Sequence, residues 1–217
     1  MKTPYFWAKP GAQDLLIDHI KRGGVVLADS DTVAGLFAAV TQKGATALDD
    51  IKTRKDKPYL IIIGEKSDWM RFADAPSDIP ALWLMDACWP GPLTVILPMR
   101  VDMPDYVGSA QKTVALRMPD HAGLCAVARA CGGIFSTSAN KTGEPVPEML
   151  SQVDEEIQDA VGAIVSDEKG EGEQHGYLPS TILDCTGDQV RVVREGAYGV
   201  EELERIYKER RGVGFLR

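Results

Sequence analysis

Two periods of apolar residues alternate along the chain. Leu15, Leu16, His19 and Ile20 recur at helical spacing, and Gly23-Gly24 stops the run. Gly24 to Ala28 then reads as a short strand, followed by a polar turn, Asp29-Ser30-Asp31-Thr32, and an apolar return from Val33 to Val40. A helix is expected over Thr46 to Lys52, and a β-branched strand over Tyr59 to Ile63. Asp78 to Cys88 is helical by periodicity and halts at Trp89-Pro90-Gly91-Pro92. Strands are expected at Leu93 to Leu97, Val114 to Met118 and Ile134 to Ser136, with a small-residue helix at His121 to Cys131. Pro147 to Ala160 reads as an acidic helix and Gly162 to Val165 as a strand. Asp167 to Tyr177 is a glycine-rich acidic loop, Thr181 to Cys185 and Val190 to Arg194 are strands, and Val200 to Arg211 is the last helix. Helices and strands interleave throughout, which predicts an α/β layer fold. No linker breaks the chain. A single domain over 1–217 is expected, with its core at about 13–197 and a C-terminal helix and tail at 198–217.

Composition narrows the function classes. The chain has 217 residues, 44% apolar and 26% charged, the balance of a globular protein able to bury a core without staples. Its apolar runs, such as Leu60 to Ile63, fall far short of the roughly 18 residues of a membrane span. Lys and Arg total 24 against 32 Asp and Glu, a net charge of -8, which argues against a basic coat for nucleic acid and leaves room for a local basic cleft. The first ten residues carry no apolar signal core. Cys88, Cys125, Cys131 and Cys185 form no C-x-x-C pair and read as buried thiols. Both features point to the cytoplasm. His19, His121 and His175 are scattered, so no local catalytic triad or metal set forms. No G-x-x-x-x-G-K-[ST] loop occurs, and Gly170-Glu171-Gly172 with Gly176 has the wrong spacing for a dinucleotide fingerprint.

Three polar clusters stand at the ends of predicted strands, where α/β proteins place ligands. They are Asp29 to Thr32, Lys52-Thr53-Arg54-Lys55-Asp56-Lys57 and Ser136-Thr137-Ser138-Ala139-Asn140. The second gathers four cations within six residues and suits a polyanion such as a triphosphate. It equally suits a helix end complementing its own dipole. The third offers hydroxyls and an amide to phosphate oxygens or a metal-bound water, and equally suits a turn and helix cap.

The order of motifs resolves these alternatives. From about Gly24 to Arg194 the chain resembles the YrdC-type threonylcarbamoyl-adenylate synthases, whose signature is K-x-R followed far downstream by S-x-N. Here these are Lys52-Thr53-Arg54 and Ser138-Ala139-Asn140. Asp31-Thr32-Val33-Ala34-Gly35-Leu36 resembles the family's T-[DE]-T-V-Y-G-L. Trp89-Pro90-Gly91-Pro92-Leu93-Thr94, Val114 to His121, Ser180-Thr181-Ile182-Leu183-Asp184 and Arg194-Glu195-Gly196 match further family segments in the family's order.

The resemblance implies a YrdC-like fold: an open, twisted mixed sheet flanked by helices, with a concave ligand cleft. It implies the conversion of ATP, L-threonine and bicarbonate to threonylcarbamoyl-AMP and pyrophosphate, for modification of adenosine 37 in tRNA. Lys52, Arg54, Ser138 and Asn140 would be catalytic. The same four, with Lys57, Thr113 and Arg194, would contact ATP. Thr32, Arg117, Ser136 and Ser180 would hold L-threonine, Arg117 forking the carboxylate. Mg²⁺ would bind through the phosphates rather than in a protein cage. A downstream threonylcarbamoyl-transferase would take the product. No membrane partner is expected.

Several positions depart from the family pattern. Ala34 replaces a tyrosine whose ring would wall the threonine pocket, and Ala28-Asp29 replaces an aromatic-proline pair. Ile62 and Val146 replace ligand-contacting His and Ser of some members. Trp89-Pro90-Gly91-Pro92 reads as a rigid turn, and His121 as an orienting residue near Arg117. The chain is expected to be the short, single-domain form. Two rivals remain at this point. One is a non-catalytic module that binds tRNA or double-stranded RNA through the Lys52 to Lys57 run. The other is a related synthase with altered amino-acid specificity.

Overall fold

The computed structural model describes residues 3–53, 58–76, 79–147, 149–167, 178–212 and 214–215. Its strands are β1 (Tyr5–Phe6), β2 (Val26–Ala28), β3 (Gly35–Ala39), β4 (Leu60–Ile62), β5 (Leu93–Pro98), β6 (Thr113–Arg117), β7 (Ile134–Ser138), β8 (Ala163–Ser166), β9 (Thr181–Asp184) and β10 (Arg191–Arg194). Its helices are α1 (Ala12–Lys21), α2 (Gln42–Lys52), α3 (Pro80–Cys88), α4 (Ala122–Cys131), α5 (Glu155–Ala160) and α6 (Val200–Arg211). The strands form one mixed sheet in the order β1-β8-β2-β3-β7-β4-β6-β5-β9-β10. This is the expected α/β architecture.

Alternation along the central strands divides the core in two. Val26, Ala28, Phe37, Ile62 and Ile134 join a smaller cluster with Leu16 and Ile20 of α1 and Leu124 and Val127 of α4. The intervening Leu27, Leu36, Ile61 and Phe135 join a larger one with Leu48 of α2, Leu84 of α3 and Leu203 of α6. A side-chain period of two sends neighbours to opposite faces, so both faces of the central sheet are buried. Helices α1 and α4 pack on each other and cover one end of their face. Among the described residues, no other helix joins that cluster, and the sheet toward β6, β5 and β9 carries none on that face.

Some elements differ from expectation. Helix α2 starts earlier, at Gln42, because the Thr41 hydroxyl accepts from the Gly44 N–H at 3.1 Å and caps it. The acidic helix expected at Pro147 to Ala160 shrinks to Glu155–Ala160. Asp154 caps its start by accepting from the Glu156 N–H at 2.8 Å, and Leu150–Gln152 makes a separate 3-10 turn. Strand β7 extends to Ser138, so most of the S-T-S-A-N cluster lies on the strand itself. The edge strand β1 carries no signal of its own in so short a segment. Most of the acidic loop, 168–177, lies outside the described residues.

Candidate functional site

A cleft of about 310 Å³ opens on the uncovered face. Its floor is built by pleat alternation. Gly35 and Phe37 of β3, Ser136 and Ser138 of β7, Leu60 and Ile62 of β4, and Ala115 and Arg117 of β6 all point into it. In the ladder, Phe37, Ser136, Leu60 and Ala115 stand side by side in four adjacent strands. Thr94 of β5 and Ile182 of β9 are register partners and extend the floor.

Arg117 dominates one end. It is 4% exposed, and burial pushes its guanidinium below the usual range while the Asp31 charge opposes that. Its Nε donates to the Gly91 carbonyl at 3.1 Å and its Nη1 to the Thr32 hydroxyl at 2.8 Å. Its Nη2 is bonded to the Asp31 carboxylate. Of five guanidinium N–H groups these bonds take three, which leaves two for an incoming anion. Ser30 donates to the Val33 carbonyl at 2.8 Å and fixes the turn that carries Asp31 and Thr32.

Arg194 approaches from β10. Its Nη2 and Nε donate to the Ser180 carbonyl at 2.7 and 3.1 Å. Burial lowers its pKa first, and the nearby positive charge of Arg117 lowers it further. Two partly desolvated guanidiniums that repel each other across a cleft make it favourable to an anion. The Ser180 hydroxyl lies 2.8 Å from that of Thr94. Thr181 braces the segment, donating to the Tyr198 carbonyl at 2.5 Å and accepting from the Gly196 N–H at 2.9 Å.

Ser138 stands at another part of the floor, with Lys52 behind it. Lys52 is 3% exposed and is not a wall residue of the cleft. Its Nζ donates to the Ser138 carbonyl at 2.8 Å, to Asn140 Oδ1 at 2.9 Å and to the Asn140 carbonyl. The basic run is therefore not an exposed stripe at its first residue. Thr53 ends α2 with φ 49°, a left-handed conformation rare for a β-branched residue. Arg54 and Lys57 lie outside the described residues.

Of the residues expected to hold threonine, Thr32, Arg117, Ser136 and Ser180 all line this one cleft. Among the ATP set, Ser138 and Arg194 line it, and Asn140 borders an adjoining depression. Thr113 shares the alternation of Ala115 and Arg117, but its hydroxyl is 2.7 Å from that of Ser109 and it is not a wall residue. Ala34 is not the gap in the wall that was expected. It packs in the larger core, where its carbonyl accepts from the Ala139 N–H at 3.0 Å. Ile62 and Val146 do line the cleft. His121 caps α4, its Nδ1 accepting from the Leu124 N–H at 3.1 Å. Trp89 is buried and closes its turn by donating to the Leu93 carbonyl at 2.7 Å. Asp31 and Thr94 received no role from the sequence. The available signal for Thr94 was a lone hydroxyl in the apolar strand L-T-V-I-L. Among the described residues, no group of three or more His, Cys, Asp and Glu could hold a metal, and no helix is long and apolar enough to cross a membrane.

Comparison with known proteins agrees with this geometry. The chain is 31% identical over 194 residues to the threonylcarbamoyl-AMP synthase of Bacillus subtilis, covering 86% of this chain and 54% of that protein. It is 29% identical over 174 residues to the enzyme of the same name from Pseudomonas aeruginosa, covering 79% and 91%. The chain thus spans about half the length of the first relative and nearly all of the second. The Pyrococcus abyssi Sua5 complexed with L-threonine superposes with a TM-score of 0.82 at 27% identity, over 91% of this chain and 58% of that one. Escherichia coli YciO shares the fold, with a TM-score of 0.78 at 20% identity over 94% of this chain and 100% of that one. The Sua5/YciO/YrdC family, described as telomere recombination, matches residues 18–196. Because that match runs from within α1 to just past β10 and takes in every described wall of the cleft, the chain belongs to the Sua5/YciO/YrdC family.

Proposed function

We propose that the protein is an L-threonylcarbamoyladenylate synthase that forms threonylcarbamoyl-AMP and pyrophosphate from ATP, L-threonine and bicarbonate, for the threonylcarbamoyl modification of adenosine 37 in tRNA. The observation that carries this reading is the convergence of Thr32, Arg117, Ser136 and Ser180, from four separate segments, on one cleft that Ser138 also lines. The relatives named above support it.

Arg117 takes the threonine carboxylate on its two remaining N–H groups, and Thr32, Ser136 and Ser180 orient the amino acid. Bicarbonate takes up a proton, breaks a C–O bond and loses water to give CO₂. The neutral threonine amine then bonds to the CO₂ carbon and releases one proton, so that amine and bicarbonate together give a carbamate and water. A carbamate oxygen then bonds to the α-phosphorus of ATP, and the bond to the pyrophosphate oxygen breaks. No covalent enzyme intermediate is required, so catalysis is positioning and charge stabilisation. Arg54, Ser138 and Asn140 form the phosphate end with Lys52 behind them, and Lys57, Thr113 and Arg194 are further ATP contacts. The Ser138 hydroxyl oxygen would help to hold a Mg²⁺ brought in with the phosphates, and that ion would supply neutralisation of their charge. The mixed anhydride then passes to a threonylcarbamoyl-transferase.

The test is pyrophosphate release from ATP by the purified chain. Release is expected to require both threonine and bicarbonate, and release indifferent to both would refute the assignment.

A further inference from the structure

Lys52 closes α2 with a buried ammonium, and lysine is seldom this buried without partners that satisfy it. Its ammonium donates to three oxygens of one segment: the carbonyls of Ser138 and Asn140, and Asn140 Oδ1. The stitch runs both ways, since the Thr142 hydroxyl donates to the Lys52 carbonyl at 2.8 Å. Asn140 lies just past the end of β7, and the Lys52 ammonium takes up its carbonyl.

Polarity then propagates outward. An ammonium only donates, so the Asn140 amide must turn its oxygen toward Lys52. Its Nδ2 accordingly donates to the Glu144 carbonyl at 2.6 Å. That same Oδ1 only accepts, so the Ser138 hydroxyl must spend its proton on it, at 2.6 Å. The Ser138 oxygen is left to face the cleft as an acceptor. Between the two polar residues, Ala139 is fully buried and its N–H donates to Ala34 of the β3 side at 3.0 Å.

We propose that Lys52 is a positioning residue, which acts on the phosphate end of the cleft by fixing the Ser138-Ala139-Asn140 segment and the direction of the Ser138 hydroxyl. This rests on the synthase reading and assigns the first residue of the K-x-R motif to the S-x-N motif rather than to the nucleotide directly.

The test compares the full chain with Lys52→Met, Lys52→Arg, Asn140→Ala and the Lys52→Met/Asn140→Ala double variant. In pyrophosphate release with ATP varied, Lys52→Met is expected to lower kcat by on the order of 100-fold while the KM for ATP moves less than about 3-fold. The double variant should fall within about 3-fold of the slower single variant, because both changes break one unit. Lys52→Arg should be as slow as Lys52→Met, since a planar fork cannot converge on three oxygens. In Lys52→Met, the Ala139 amide should exchange with solvent at least about 10-fold faster, with Phe135 in β7 unchanged. Multiplying losses in the double variant, a KM that rises with kcat unchanged, or restored activity in Lys52→Arg would each make Lys52 a direct phosphate ligand and overturn the proposal. Unchanged Ala139 exchange in either Lys52 variant would also overturn it. A wild-type chain without threonine- and bicarbonate-dependent release would instead refute the synthase reading, and the Ala139 amide would still decide whether Lys52 holds the segment.

Discussion

The carboxylate of Asp31 bonds to the guanidinium of Arg117 with one oxygen and accepts from the Asp120 N–H at 2.9 Å with the other. Both side chains are almost wholly buried. Asp31 thereby ties the turn after β2 to β6 and to the loop before α4, and it holds Arg117 at a fixed angle to the cleft. A buried pair broken from one side leaves an uncompensated charge. Asp31→Ala is therefore expected to lower unfolding stability by about 3–5 kcal/mol in a urea titration. Asp31→Asn should cost less, but not zero. Its single oxygen can accept from Arg117 or from Asp120, and its amide N–H₂ then opposes the other donor. Equal stability of the wild type and Asp31→Ala would show that the pair is not formed in solution.

Thr94 is 1% exposed, and its hydroxyl lies 2.8 Å from that of Ser180. Ser180 is also the anchor of Arg194, so one serine joins β5, β9 and β10 at the cleft floor. Thr94→Val keeps the shape and removes the hydroxyl. The KM for threonine is expected to rise by about 10-fold, the effect of one neutral hydrogen bond of about 1.4 kcal/mol, with kcat nearly unchanged. Steady-state rates with threonine varied would measure this, and an unmoved KM would remove Thr94 from the amino-acid site.

Gly196 closes the R-x-G segment because nothing larger fits. A Cβ there would lie 2.0 Å from the Pro179 carbonyl oxygen and 2.7 Å from the Ser180 carbonyl carbon, both backbone atoms. The Ala197 N–H donates to that same Pro179 oxygen at 2.9 Å, so the segments cannot separate without losing the bond. Gly196→Ala should push the β10 end away from Ser180 and pull Arg194 from the cleft. ATP affinity, measured by calorimetry, is expected to fall by on the order of 10-fold with the melting temperature also reduced. Undiminished affinity would mean that Arg194 does not contribute to the nucleotide site.

These networks mark how far the sequence could be read. The strands were legible as short apolar runs bounded by turn residues, and Phe37, Ile62 and Ile134 sort onto one buried face as a period of two requires. The convergence of Thr32, Arg117, Ser136 and Ser180 was not derivable from spacing, since the four stand on different segments of a reordered sheet. It came from the resemblance of their motifs. The acidic segment before α5 misled because composition was read as continuity, while Asp154 restarts the chain with its own cap. Ala34 misled for a different reason. Its place in a ligand motif suggested the cleft, but alternation with Gly35 sends its methyl to the opposite face. Lys52 was read with its cation cluster as a phosphate contact because sequence carries no sign of burial for a lysine at a helix end.

Asp29 gives the last prediction, at a position where the family pattern has an aromatic-proline pair. Its Oδ2 accepts from the Ser166 hydroxyl at 2.9 Å and from the Asp167 N–H at 3.0 Å. Burial pushes its pKa up, the Asp167 N–H and Ser166 hydroxyl pull it down, the Asp167 charge raises it, His121 lowers it, and the balance is upward. A carboxyl raised in the folded state contributes stability that is fully present below its unfolded value, near pH 4, and is lost as pH rises through the folded value. Asn cannot ionise, and one amide oxygen can receive both bonds that Oδ2 now receives. Asp29→Asn should therefore match the wild type at low pH and exceed it at neutral pH, by roughly 2–4 °C in melting temperature. The gap should open as pH climbs above about 4. Melting curves at several pH values would read it directly. A gap independent of pH, or a less stable Asp29→Asn at neutral pH, would show that the ionised carboxylate is the better ligand for Ser166 and Asp167 and that burial is not the dominant influence on Asp29.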